Sequence, residues 1–363
     1  MPIKVAVVDD SATVRKVLSE ILSTHQDIEI IFSAANPVFA FRKMEKQWPD
    51  VIVSDIEMPE MDGIEFLKKV MEQRPTPFII CSTQAENLAS RGVDALYLGA
   101  LELIQKPQVG LSNFLNDQAQ AFIDAVVAAG GANLSHIKAD VSKLSVKPKS
   151  VRSAEVVTPT PAMPKASGRY SKKLIVIGSS TGGTIVLEEL LSAMKGGNVP
   201  PIVIVQHMPE KFTKSFAFRL NQLSDLNVME AVDGQILESD SVYIARGGKH
   251  LELKQSGNTL VARVTEGAPV SRHKPSVNVL FRSASKILQV DMLGIILTGM
   301  GDDGAQGLLL LKNAGARTIA QDKSSSAVWG MPKVAWQLGA AQAVLDVNGI
   351  IEWMSDFSMV RRF

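Results

Sequence analysis

The chain has 363 residues, 46% of them apolar and 21% charged, with a formal net charge of +1 at pH 7. That length suits two domains, each with its own core, and the even charge balance excludes the basic surface of a large nucleic-acid footprint. A single cysteine, Cys81, excludes a disulfide framework and a cysteine-built metal centre.

The first residues, "MPIKVAVVDD", reach an acidic pair too early for a secretory signal. No apolar run approaches the roughly 18 residues of a membrane span. The expectation is a cytoplasmic protein with no membrane insertion.

Residues 1–125 alternate the apolar runs "KVAVV", "IEIIFSA", "VIVSD", "FIICS" and "ELIQK" with amphipathic segments. Val14, Val17, Leu18, Ile21 and Leu22, for example, have the spacing of one helix face. This alternation predicts an α/β domain with a doubly wound parallel sheet, and Cys81 is expected in its core. In such a sheet, function collects beyond the carboxyl ends of the strands. Those ends carry Asp9 and Asp10, then Asp55, then Ser82, then Lys106. Clustered carboxylates need a divalent cation to stay ionised together, and an all-oxygen set favours Mg²⁺ or Mn²⁺ over zinc. A cation and a lysine around one carboxylate would stabilise an added phosphoryl group, to which Ser82 can hydrogen-bond.

The blocks "VVDDSATVRKVL", "DVIVSDIEMPEMDGIEFL", "ICST" and "GALELIQKP" resemble those of two-component response-regulator receiver domains over about 1–125. The resemblance implies a flavodoxin-like fold, phosphorylation at Asp55 by a sensor histidine kinase, and Mg²⁺ held by Asp9, Asp10, Asp55 and the carbonyl of Glu57. Ser82 and Lys106 would sense the phosphoryl group. Receivers often carry an aromatic switch residue three positions before the lysine; Leu103 stands there, which argues against an aromatic-rotamer switch and leaves a shift driven by Ser82 open.

Residues 126–172 are rich in Lys, Ser, Thr and Pro, with Tyr170 as the aromatic, and read as a mobile linker. A surface-lying, partly helical linker is the alternative. From 173 to 363 the strands resume with "LIVIG", "PIVIVQ", "SVYIA", "HLELK", "LVARV", "LGIILTG" and "RTIAQ". They predict a second parallel, Rossmann-like α/β domain, with 241–264 as added antiparallel strands.

The loop after "LIVI" tests three templates. A dinucleotide fingerprint needs glycine where Ser180 stands, and a P-loop needs lysine where Thr184 stands. G-x-S-x-G fits 178–182 with Ser180 central, on a strand-to-helix turn that holds the serine exposed near helix N–H groups. Ser179 then reads as a turn residue. A serine nucleophile needs a base and a group to orient that base. Of five histidines, His207 stands at a strand end, His25 ends a receiver helix, and His136 falls in the linker region. His250 and His273 lie in polar loops and are candidates for substrate contact. "LGIILTGMGDDG" brings Asp302 and Asp303 to the same sheet edge, and spacing does not choose between them.

The blocks "IGSSTGGT", "VQHMPEKFTKSFAFRL", "SRHKPSVNVLF", "LTGMGDDGAQGL" and "AVWGMPK" resemble the CheB-type protein-glutamate methylesterase family of bacterial chemotaxis. The resemblance aligns Ser180 with the nucleophile, His207 with the base and Asp303 with the acid. Thr181 matches an active-site hydroxyl, and the backbone of Met300 would help form the oxyanion site. It implies a phosphorylation-activated serine hydrolase that demethylates glutamate esters and deamidates glutamines on chemoreceptors. The esterase step would need no metal, and the unphosphorylated receiver would cover the active-site mouth. A monomer is the expectation. Alternatives are an esterase or amidase for another protein group, and a non-catalytic response regulator that docks to receptors.

Overall fold

The structure is a computed structural model that describes residues 1–82, 86–106, 117–135 and 172–359. His136, Tyr170 and the rest of the expected linker from 136 to 171 lie outside the described residues.

The first five apolar runs form β1 (Ile3–Val8), β2 (Ile28–Ala34), β3 (Val51–Ser54), β4 (Phe78–Ser82) and β5 (Glu102–Gln105). They pair in the order β2-β1-β3-β4-β5, all parallel. Val5 to Val8 and Val51 to Val53 are buried because helices cover both faces, which is why these strands read as unbroken apolar runs. The helices are α1 (Ala12–Ser23), α2 (Pro37–Met44), α3 (Gly63–Gln73), α4 (Glu86–Tyr97) and α5 (Asp117–Gly130). α1 buries Val17, Leu18, Ile21 and Leu22, the face that its spacing marks, and starts at Ser11, whose hydroxyl accepts from the Val14 amide. α5 runs past position 125, and after it Asn133 donates its amide to the Ala327 carbonyl at 2.8 Å. The first five residues assigned to the linker are thus a helix end. The Cys81 thiol is buried in β4, and burial pushes its pKa up.

The second half is built on β6 (Lys173–Ser179), α6 (Gly183–Ala193), β7 (Ile202–Gln206), α7 (Phe212–Leu223), β8 (Asn227–Glu230) and β9 (Ser241–Ile244). A hairpin of β10 (His250–Ser256) and β11 (Thr259–Thr265) follows. Then come α8 (Val277–Ala284), β12 (Asp291–Ile296), α9 (Ala305–Asn313), β13 (Arg317–Gln321), α10 (Met331–Gln337), β14 (Ala343–Leu345) and α11 (Val347–Ser358). The sheet order is β14-β13-β12-β6-β7-β9-β8, all parallel. The expected antiparallel run from 241 to 264 needs correction: β9 is a fully buried parallel strand, and only β10 and β11 pair antiparallel, as a separate sheet. β8 and β14 escape the sequence pattern because each is a short, partly buried strand at the end of the sheet.

In both sheets the chain winds outward in two directions from an inner strand, so the crevice beyond the strand ends opens at β1 and β3 in one and at β6, β7 and β12 in the other. The halves meet where α4 packs on α6 and α7. Val93, Leu96 and Leu103 join Leu187, Phe212 and Phe216 in one apolar cluster. Among the described residues, no helix is long and apolar enough to cross a membrane.

Candidate active site

Ser179 ends β6 and is a buried brace, which corrects its reading as a turn residue. Its hydroxyl donates to Gln206 Oε1 at 2.6 Å. Gln206 Nε2 donates in turn to the carbonyls of Ser180 at 2.9 Å and His207 at 3.1 Å. The register pairs Ser179 with Gln206, so Ser180 and His207 leave adjacent strand ends side by side. The Ser180 amide donates to the Thr298 carbonyl beyond β12 at 3.0 Å, which fastens the loop to a third strand. Two glycines make this geometry possible. Gly182 turns into α6 at φ 77°, a left-handed conformation open to glycine. Gly299 lies against the serine, since a Cβ there would stand 2.6 Å from Ser180 Cβ.

His207 Nε2 lies 2.8 Å from Asp303 Oδ2. Asp303 is 1% exposed, and burial pushes its carboxyl up. The His207 bond and the donors of Asn278 and Ser276 outweigh that burial and hold Asp303 below the usual aspartate range. Those donors are built by α8: Ser276 Oγ at 2.8 Å, the Val277 amide at 2.7 Å and the Asn278 amide at 3.0 Å all reach the carboxylate. A helix N-terminus is a natural seat for a negative charge. With Asp303 ionised, Nε2 carries the proton and Nδ1 holds the lone pair. Nδ1 is buried and has no hydrogen-bond partner among the described residues. Asp302 is exposed and makes no bond to His207 among the described residues, so Asp303 is the one of the two that meets His207.

The His273 ring stacks on His207, with centroids 3.7 Å apart and planes 12° from parallel. Burial first, then the neighbouring His207, pulls the His273 pKa down to about 3. Two stacked imidazolium rings would repel one another, which helps keep His273 neutral. His250 is not a substrate contact. It is buried, with Nε2 2.9 Å from the Ala268 carbonyl, and Nδ1 accepts from the Ser276 amide at 3.3 Å. His25 accepts the Asp27 amide within the first half. The Met300 amide makes no hydrogen bond among the described residues, which leaves it free for a developing oxyanion.

At the other sheet edge, ligand oxygens of Asp9, Asp10 and Asp55 lie within 4.8 Å of one another. Lys106 Nζ reaches Asp9 Oδ2 at 2.7 Å and Asp55 Oδ2 at 2.5 Å. Burial raises the Asp55 pKa against the opposing pull of Lys106, and the Lys106 pKa is raised because both carboxylates outweigh its own burial. One lysine does not balance three acids, and the oxygen-only donor set suits a hard cation such as Mg²⁺. Ser82 is buried at the end of β4, and its carbonyl accepts the Lys106 amide at 2.8 Å. Glu57 follows two residues after Asp55 with its side chain exposed.

The first half covers the Ser180 loop. Leu101, Glu102 and Leu103 face Ser180, Thr181 and His207 across a cleft. The Thr181 hydroxyl donates to Glu102 Oε2 at 2.5 Å, and the Gly182 amide donates to the Leu101 carbonyl at 3.2 Å. Ser180 is consequently 4% exposed, where the sequence led us to expect an open serine.

Residues 175–354 match the family described as CheB methylesterase, and residues 5–115 match the response regulator receiver domain. A protein-glutamate methylesterase/protein-glutamine glutaminase of Xanthomonas oryzae is 49% identical over 94% of this chain and 97% of its own. The chain belongs to this CheB family. A relative of the same name from Photobacterium profundum is 48% identical over 97% of this chain and 99% of its own. The crystal structure of the Thermotoga maritima CheB methylesterase catalytic domain is 39% identical, covering 51% of this chain and 97% of that one, with a TM-score of 0.49.

Sequence reasoning missed several residues that this CheB-family chain places around the triad candidates. Gln206 entered only as a non-acidic residue, yet it ties two strand ends together. Ser276 lay unread inside "SRHKPSVNVLF". The signal available was a Ser-Val-Asn helix start, which offers clustered N–H donors to an acid. Glu102 carried no local signal, because its partner Thr181 is 79 positions away.

Proposed function

We propose that this chain is a phosphorylation-activated protein-glutamate methylesterase, with glutaminase activity, that acts on chemoreceptors through Ser180, His207 and Asp303. The buried His207–Asp303 pair beside the Ser180 loop carries this reading. Ser180 Oγ attacks the γ-ester carbonyl as His207 Nδ1 takes the hydroxyl proton, and Asp303 stabilises the imidazolium. The Met300 amide and the Thr181 hydroxyl, once released from Glu102, support the oxyanion. Collapse expels methanol, which takes its proton from His207. Water, deprotonated by His207, then attacks the acyl-serine and releases the glutamate carboxylate and free Ser180. With a glutamine side chain the leaving group is ammonia.

A receiver domain over 1–125 whose last helix runs on to Gly130, a linker over the rest of 126–172 and a catalytic domain over 173–363 divide the work in this reading, in the cytoplasm. Asp55 takes a phosphoryl group from a sensor histidine kinase, and Asp9, Asp10 and the Glu57 carbonyl join it in holding Mg²⁺. When bound, the ion neutralises charge on the transferring phosphoryl group. Lys106, drawn from Asp9 and Asp55 toward the new phosphoryl oxygens, directly follows β5. A shift there reaches Leu103 and Glu102 within four residues, which biases the cover toward release.

Methanol release from methylated receptors, with and without a phosphodonor, tests the proposal. Ser180→Ala is expected to abolish release and Asp55→Asn to abolish its stimulation. Full activity in Ser180→Ala would overturn the assignment.

A further inference from the structure

Val270 and His273 each donate an amide to the other's carbonyl at 3.0 Å. Between them, Ser271 at φ 50° and Arg272 at φ 67° are both left-handed, a tight turn that strains residues with side chains. This turn delivers His273 onto the face of His207. It also sets the Arg272 guanidinium beside the Met300 loop, with Nη2 3.9 Å from where a Cβ on Gly301 would stand.

Arg272 Nη1 donates to Asp124 Oδ2 on α5 of the receiver at 3.0 Å, while Gln120 holds the other Asp124 oxygen at 2.8 Å. The side chains are 61% and 25% exposed, and such a pair adds little to docking. Nearby cations are matched within their own half: Lys249 and Lys274 by Glu266, and Arg246 by Glu210. Arg272 differs in taking its counter-charge from the element that must leave before substrate enters.

We propose that Arg272 is a specificity determinant that binds a carboxylate side chain of the protein substrate next to the ester under attack, and that Asp124 fills this position while the receiver is docked. The inference rests on the esterase reading above. A guanidinium stays charged at any working pH, and its planar fork matches a carboxylate. Departure of the receiver removes Asp124 and leaves that fork beside the Met300 loop, one residue from the His273 ring that stacks on His207. An acidic side chain beside the scissile group then restores the pair, and the reaction's own product is such a group.

The test uses the full chain with phosphodonor and two peptides that differ only in Asp or Asn beside a glutamate methyl ester. The wild type is expected to show a KM about tenfold lower for the Asp peptide. Arg272→Gln removes that difference by raising KM for the Asp peptide, with kcat changed less than about twofold, and Arg272→Lys restores part of it. A wild type that does not discriminate, or an Arg272→Gln that lowers kcat alike on both peptides, would overturn the proposal. A second arm measures binding of the Asp peptide, with free glutamate in place of the ester, to Ser180→Ala by fluorescence anisotropy. Adding Arg272→Gln is expected to weaken binding about tenfold; unchanged binding overturns the proposal. Arg272-dependent binding alongside a wild type that releases no methanol would sink the esterase reading and leave only Arg272 as a carboxylate-binding residue.

Discussion

The Thr181 hydroxyl donates to Glu102 Oε2 at 2.5 Å, so the receiver's last strand closes on the residue next to the candidate nucleophile. Burial between the halves lifts the Glu102 pKa above the ordinary 4.5, against the pull of Thr181 and His207. The docked state therefore holds a proton more readily than the open one. Docking is favoured as pH falls and weakens as pH rises through the raised Glu102 value. The ratio of phosphodonor-activated to basal activity is expected to fall as pH increases above about 4.5. Taking a ratio cancels any pH dependence of the esterase step itself. Glu102→Gln, a neutral isostere that still accepts from Thr181, should flatten that dependence. A ratio with equal pH slope in both proteins would count against this role.

Arg219 is a second tie across the interface. Its guanidinium lies 3.8 Å from the Tyr97 ring centroid and its Nη1 lies 3.0 Å from Asp94 Oδ1. A desolvated cation over a ring contributes about 1–2 kcal/mol. Arg219→Ala should loosen docking by roughly five- to thirtyfold and raise basal methanol release, while the activated rate stays near wild type. An unchanged basal rate would show that the apolar contacts of α4 hold the cover alone.

Gly299 predicts a loss confined to chemistry. A methyl group there would stand 2.6 Å from Ser180 Cβ and 2.5 Å from Met331 Sδ. Ser180 must shift, and displacement by about 1 Å costs on the order of 10²-fold in rate. Gly299→Ala is expected to lower kcat by about that factor, with far-UV circular dichroism unchanged. Near wild-type kcat would mean that the loop relaxes around the methyl group.

His273 links the site to acid stability. Burial beside His207 holds its pKa at about 3, against 6.5 when exposed. Below 6.5 the unfolded chain binds a proton that the folded chain refuses, so stability present at neutral pH is lost between 6.5 and 3. Thermal melts of His273→Gln should show a shallower fall in Tm across that window than the wild type. Parallel slopes would assign the acid loss to other groups.

The sequence by itself determined the two parallel α/β halves and the residues at their carboxyl edges. Parallel strands covered on both faces must be apolar throughout, and chemistry must then appear where each run ends, as at Asp9, Asp55, Ser180 and His207. These are properties of short windows, and short windows are what a sequence displays. The structure alone decided what depends on separation. It brought Asp303, and not its neighbour Asp302, to the N–H groups of α8 and Nε2 of His207. It turned His250 from a candidate substrate contact into a brace and stacked His273 on His207. It also placed Glu102 on Thr181 and Asp124 on Arg272, pairs 79 and 148 positions apart. No periodicity encodes such contacts, because packing the receiver against the second sheet creates them, and each partner alone looks like an ordinary polar residue.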